Sequence, residues 1–86
     1  MATLLIVHEV DDVDRWLKSP KREEVFGPHG FTVRTFTDPT NPHRVGLIVD
    51  GPGLDRLQEL LQTDEGVDAM KHDGVRPDTL VVLVEP

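Results

Sequence analysis

Apolar strand-like runs near both ends of the chain, two alternating runs around a proline-rich loop, and a leucine stripe of helical period predict an α+β fold in the order β-α-β-β-α-β. At 86 residues the chain has room for one domain, residues 1–86.

The first strand is read from Thr3 to Val10, with Leu4-Leu5-Ile6-Val7 continuously apolar and therefore at least partly buried on both faces. Asp11 and Asp12 supply N-cap oxygens for a helix. Val13, Trp16 and Leu17 share one of its faces. Ser19-Pro20 interrupts it with a second cap, so the first helical region divides near 12–18 and 20–26 and stops at Gly27-Pro28-His29-Gly30. A second strand runs from Phe31 to Thr37, with Phe31, Val33 and Thr35 on one face and Arg34 and Phe36 on the other. The loop Asp38-Pro39-Thr40-Asn41-Pro42-His43 has hairpin length and turn chemistry. It leads to a third strand, Arg44 to Asp50, which Gly51-Pro52-Gly53 ends. Leu54, Leu57, Leu60 and Leu61 form the stripe of a second helix. Thr63-Asp64-Glu65-Gly66 breaks and recaps that helix, Val67 and Met70 continue its apolar face, and Gly74 stands where a helix ends in a left-handed glycine. The last strand is read from Thr79 to Glu85.

Right-handed crossovers turn this order into two split βαβ units. The result is a ferredoxin-like four-stranded antiparallel sheet, order 4-1-3-2, with the helices on one face. Both sheet faces are apolar: Leu4 and Ile6 oppose Leu5 and Val7, Val45, Leu47 and Val49 oppose Ile48, and Leu80, Val82 and Val84 oppose Val81 and Leu83. Helices cover one face only. The other is a patch larger than soluble monomers carry, and a second copy of the sheet is its expected cover.

Composition narrows the chemistry. No cysteine is present, which removes disulfides and thiolate nucleophiles. Sixteen acidic against nine basic residues give a net charge of −7, which repels phosphate backbones and anionic lipid, so neither nucleic acid nor membrane is an expected partner. The first apolar run is too short for a signal segment or a membrane span, and a cytoplasmic protein is expected. No phosphate-binding loop and no serine-histidine-acid pattern appears.

The topology gathers His8, His43 and His72 at one sheet edge, with Asp11, Asp12, Asp73 and Asp78, and leaves His29 at the other. Imidazole suits proton transfer near neutral pH, so His8 and His72 are catalytic candidates. A metal held by His8, His43 and His72 is the alternative, although no local ligand motif favours it and no cofactor or metal is expected. Plain placement at a strand end, in a loop and at a helix C-terminus accounts for the three histidines more simply. Arg34 is the third catalytic candidate, able to steady an oxyanion if its face is buried; on an edge strand it is simply solvated. Trp16, Phe26, Phe36 and Met70 are the candidate walls of a pocket for a small apolar or aromatic ligand, and Phe31 is of the same kind; core packing alone explains the same residues.

The runs His8-Glu9-Val10 and Asp14-Arg15-Trp16, the hairpin pairs Asp38-Pro39 and Asn41-Pro42, Asp64-Glu65-Gly66 through Ala69-Met70, and Gly74-Val75 with Pro77 resemble the dimeric α+β barrel superfamily, which includes antibiotic-biosynthesis monooxygenase-like proteins. The resemblance spans nearly the whole chain. It implies a homodimer and a site between sheet and helices. Haem-degrading members use an asparagine on the first strand and a tryptophan and a histidine on the second helix. Here the first strand has no Asn and the second helix no Trp, so haem degradation is not implied. The resemblance leaves a homodimeric small-molecule-binding protein of unassigned activity. Cofactor-independent oxygenation, isomerisation or cyclisation of an aromatic or polyketide-like substrate is the chemistry it suggests. A non-enzymatic ligand-sensing or assembly module is the alternative.

Overall fold

The computed structural model describes residues 2–86. In chain order the elements are β1 (Ala2–Val10), α1 (Val13–Lys18), α2 (Lys21–Phe26), β2 (Thr32–Thr37), β3 (Arg44–Gly51), α3 (Leu54–Gln62), α4 (Asp64–His72) and β4 (Val75–Val84), with one 3-10 turn, Gly27–His29, after α2. The sheet order is β2-β3-β1-β4 and every neighbouring pair is antiparallel, which is the expected 4-1-3-2 arrangement read from the other edge. The fold is the ferredoxin-like α+β fold, with the helices on one side. Among the described residues no helix is long and apolar enough to cross a membrane.

Short polar signals set the boundaries. Asp12 caps α1 by accepting from the Arg15 amide at 3.2 Å. Ser19 Oγ accepts from the Lys21 amide where the chain turns into α2. The Thr63 hydroxyl accepts from the Gly66 amide at 3.1 Å and starts α4 directly after α3. Gly74, at φ +69°, ends α4 in the left-handed region that a side chain would disfavour, and its carbonyl accepts from the Asp11 amide.

Cross-strand registers place whole rows on one face or the other. Thr35, Leu47, Ile6 and Val82 form one row, and Val33, Val49, Leu4 and Val84 the next. Leu4, Ile6, Val45, Leu47 and Val49 are buried under the helices, where they meet Trp16, Phe26 and Leu57. Each such side chain contributes about 1.5–3 kcal/mol of hydrophobic stabilisation. The opposite face carries the rows Arg34–Ile48–Leu5–Leu83 and Phe36–Gly46–Val7–Val81. Phe36, Val81 and Leu83 are exposed there at 46%, 51% and 53%.

Three expectations change. β4 begins at Val75 rather than Thr79, because Val75 and Arg76 pair with Val10 and Glu9 before the register jumps to Val81 opposite Val7. Residues 77–80 thus face His8 alone, and the Thr79 hydroxyl takes the Glu9 amide that the bulge leaves unpaired, at 2.8 Å. Leu17 is not on the buried face of α1: a helix of six residues turns only Trp16 fully inward, and Leu17 is 43% exposed. Thr35 and Val84 lie on the helix-side face but beyond the reach of the helices, and both are exposed.

Candidate functional site

The space between sheet and helices narrows to a cavity of about 50 Å³, bordered by His8 and Ile6 of β1, Trp16 of α1, Arg22 and Phe26 of α2, and Met70 and Asp73 at the end of α4. His8 is on the helix side of β1 and only 3% exposed. Its ring meets the Trp16 indole edge-on, centroids 5.8 Å apart. The Glu9 carbonyl lies 3.3 Å from Nδ1 and can only accept, so Nδ1 carries the proton. Nε2 is then a lone-pair acceptor, and no described residue donates to it. Burial pulls the His8 pKa below its ordinary value, with the Arg22 charge acting in the same direction and the Glu9 and Asp73 contacts opposing. The neutral imidazole is the form the cavity holds.

Arg22 reaches over the Trp16 ring, its guanidinium carbon 4.2 Å from the centroid, and donates to the Trp16 carbonyl at 2.6 Å. It thereby caps the orphan carbonyls of α1 while its charge borders the cavity. Asp73, 3% exposed, lies 3.7 Å from the Arg22 guanidinium, too far for a hydrogen bond. Its Oδ1 is 2.9 Å from His72 Nδ1. Burial lowers the Arg22 pKa, and Asp73 partly restores it.

The structure thus brings His8, Trp16, Phe26 and Met70 together at one cavity. It does not bring Arg34 and Phe36 there. Both are on the uncovered sheet face and exposed, with the Arg34 guanidinium 5.9 Å from the Phe36 ring, so in the single chain their surroundings are solvent and not the cavity. Phe31 packs edge-on against Phe26 and over Gly51, where a Cβ would come within 2.3 Å of its ring; it is core. His72 is half exposed and touches the site only through Asp73. His43 Nδ1 donates to the Val10 carbonyl at 3.1 Å. His29 accepts from Arg56 at the far edge. Among the described residues no three histidine, cysteine or carboxylate side chains stand close enough to hold a metal ion, so His8, His43 and His72 do not converge.

Arg22 is the residue that the reading of the sequence passed over, and Asp73 was placed at the edge without a role. The signal for Arg22 was present: with Val25 and Phe26 it occupies i, i+3 and i+4, the inward register of α2.

No family model and no curated protein matches the sequence. Solved structures match the fold. One is an antibiotic biosynthesis monooxygenase, at TM-score 0.65 and 14% identity, covering 100% of this chain and 97% of that one. A candidate antibiotic biosynthesis monooxygenase from Deinococcus radiodurans matches at TM-score 0.59 and 14% identity, over 100% and 91% of the two chains. An ethyl tert-butyl ether d (ethd) family protein from Bacillus halodurans matches at TM-score 0.58 and 16% identity, over 100% and 98%. The chain therefore has the fold of the antibiotic biosynthesis monooxygenase-like proteins along its whole length.

Proposed function

We propose that this chain is a homodimeric α+β barrel protein that takes a small apolar or aromatic molecule between its sheet and its helices. Cofactor-independent oxygenation, isomerisation or cyclisation is the reaction class. The observation that carries the reading is the buried, neutral His8 on a cavity walled mostly by apolar side chains such as Trp16, Phe26 and Met70, with Arg22 and Asp73 at its border. A neutral imidazole with a free Nε2 lone pair is a proton acceptor. A phenol or enol held against it loses its proton to His8, and the resulting oxyanion lies beside the Arg22 guanidinium. Such an anion is electron-rich enough to react with dioxygen, or to isomerise or cyclise, without a bound cofactor. The fold it shares with antibiotic biosynthesis monooxygenases fits this class of reaction.

Pairing follows from the uncovered face. Leu5, Phe36, Val81 and Leu83 are apolar and between 38% and 53% exposed, and a twofold packing of two such sheets removes them from water. In the assembly Arg34 would be enclosed at that interface.

The 50 Å³ cavity favours a second reading. Ligand pockets generally hold about 300 Å³ or more. Met70 and Leu61, both half-buried at the cavity rim, would have to swing aside to admit a ring, and if they do not the chain is an assembly module with a filled core. A thermal-shift screen of phenols, quinols and flavins separates the two, because ligands stabilise the state they bind. A rise in Tm with phenols or quinols, lost in His8→Leu, supports the binding protein. A flat response to every class contradicts it.

A further inference from the structure

The cavity holds two hydrogen-bond acceptors that have no donor from the protein. Nε2 of His8 has none once Nδ1 serves the Glu9 carbonyl. Asp73 Oδ2 has none either: Oδ1 meets His72, and the Arg22 guanidinium stops 3.7 Å short of Oδ2. Both residues are about 97% buried and both line the same space. Among the described residues no fully enclosed side-chain oxygen or nitrogen lacks a partner, so neither of the two unpaired atoms is fully enclosed. A buried acceptor facing a cavity without a donor loses its hydration and gains no hydrogen bond in return.

We propose that Asp73 is a specificity residue of this site and selects a neutral hydroxyl head group, a phenol or enol, over a carboxylate; the inference rests on the binding reading above. The hydroxyl donates its one proton to one of the two acceptors, Asp73 Oδ2 or His8 Nε2, and its oxygen accepts from Arg22. A carboxylate-headed ligand carries acceptors only. It would place them, and a second negative charge, against the Asp73 carboxylate in a space too dry to screen it. Arg22 does not reverse this for a ligand that arrives charged, because its charge is already opposed by Asp73 at 3.7 Å, whereas a phenolate forms together with the His8 imidazolium and adds no net charge.

The experiment titrates the purified chain with phenol, anisole, benzene and benzoate at pH 7, following the Trp16 indole N–H and the His8 ring nitrogens by NMR. Phenol is expected to bind at least roughly tenfold more tightly than anisole, which has the ring without the donor, and than benzoate. In Asp73→Asn the same side-chain shape offers an amide N–H, and the phenol-over-benzoate ratio is expected to fall by about tenfold or more. The ligand series needs no variant, so it stands if Asp73→Asn fails to fold. Equal binding of phenol, anisole and benzene at the Trp16 site overturns the inference and leaves the binding reading intact. Benzoate binding as well as phenol, or an unchanged ratio in Asp73→Asn, also overturns it. Shifts with none of the four overturn the inference and the binding reading together.

Discussion

Leu83→Glu is expected to dissociate the proposed dimer without unfolding the subunit. Leu83 is on β4 opposite Leu5 on the uncovered face, and it is 53% exposed in the single chain. Complete burial of a leucine side chain stabilises by about 1.5–3 kcal/mol, so covering the remaining half is worth about 1 kcal/mol. Twofold symmetry doubles this to about 2 kcal/mol per dimer. The substitution also drives two carboxylates into an apolar interface, at about 1 kcal/mol or more each even with partial solvation. The sum, about 4 kcal/mol, raises the dissociation constant by roughly three decades. Leu17→Glu is the matched control: Leu17 is 43% exposed, but it belongs to α1 in the helix layer. Sedimentation velocity over a concentration series reads both variants. A Leu83→Glu chain whose dissociation constant is no higher than that of the wild type, or a Leu17→Glu chain that dissociates as readily as Leu83→Glu, refutes the assignment of the sheet face as the interface.

Gly66→Ala tests the corner between α3 and α4. Helix propensity alone would make it stabilising by up to about 1 kcal/mol. A Cβ at Gly66, however, would stand 2.2 Å from the Leu60 carbonyl oxygen and 3.1 Å from the Leu61 Cα, both backbone, so a loss of roughly 1–3 kcal/mol in urea unfolding is expected. Stability should also fall in acid through His8. Its folded pKa is lowered from the ordinary 6.5, so the unfolded chain takes the proton first. The contribution of the neutral ring is complete above pH 6.5 and is lost as pH falls from there to the folded pKa, with Arg22 reinforcing and Asp73 opposing the effect. Urea unfolding of His8→Leu between pH 7.5 and pH 5, on a scale of about one proton, should lack this limb; an identical pH slope in the variant contradicts it.

The sequence made the fold legible because its punctuation is local. Asp12, Ser19-Pro20, Thr63 and Gly74 each act on the next few amides or carbonyls, and each does in the structure what its chemistry dictates. Strand parity was equally readable: Arg34 and Phe36 do share a face. Alternation does not reveal which apolar face lies under the helices, and Arg34 and Phe36 prove to be on the uncovered one, away from Trp16. The bulge at residues 77–80 was hidden for a different reason. It is bounded by the pairing of Arg76 with Glu9, an ion pair at 2.9 Å between residues far apart in sequence. Arg22 was overlooked because a charged residue at an inward helical position reads as surface until a ring such as Trp16 and a carboxylate such as Asp73 are seen beside it.

The central claim is that the open sheet face of one chain is closed by that of another, and the solution mass at micromolar concentration tests it most directly. The chain mass is 9.6 kDa. Sedimentation equilibrium is expected to return twice that value, falling toward one chain only on strong dilution. A mass of one chain throughout the micromolar range would contradict the account.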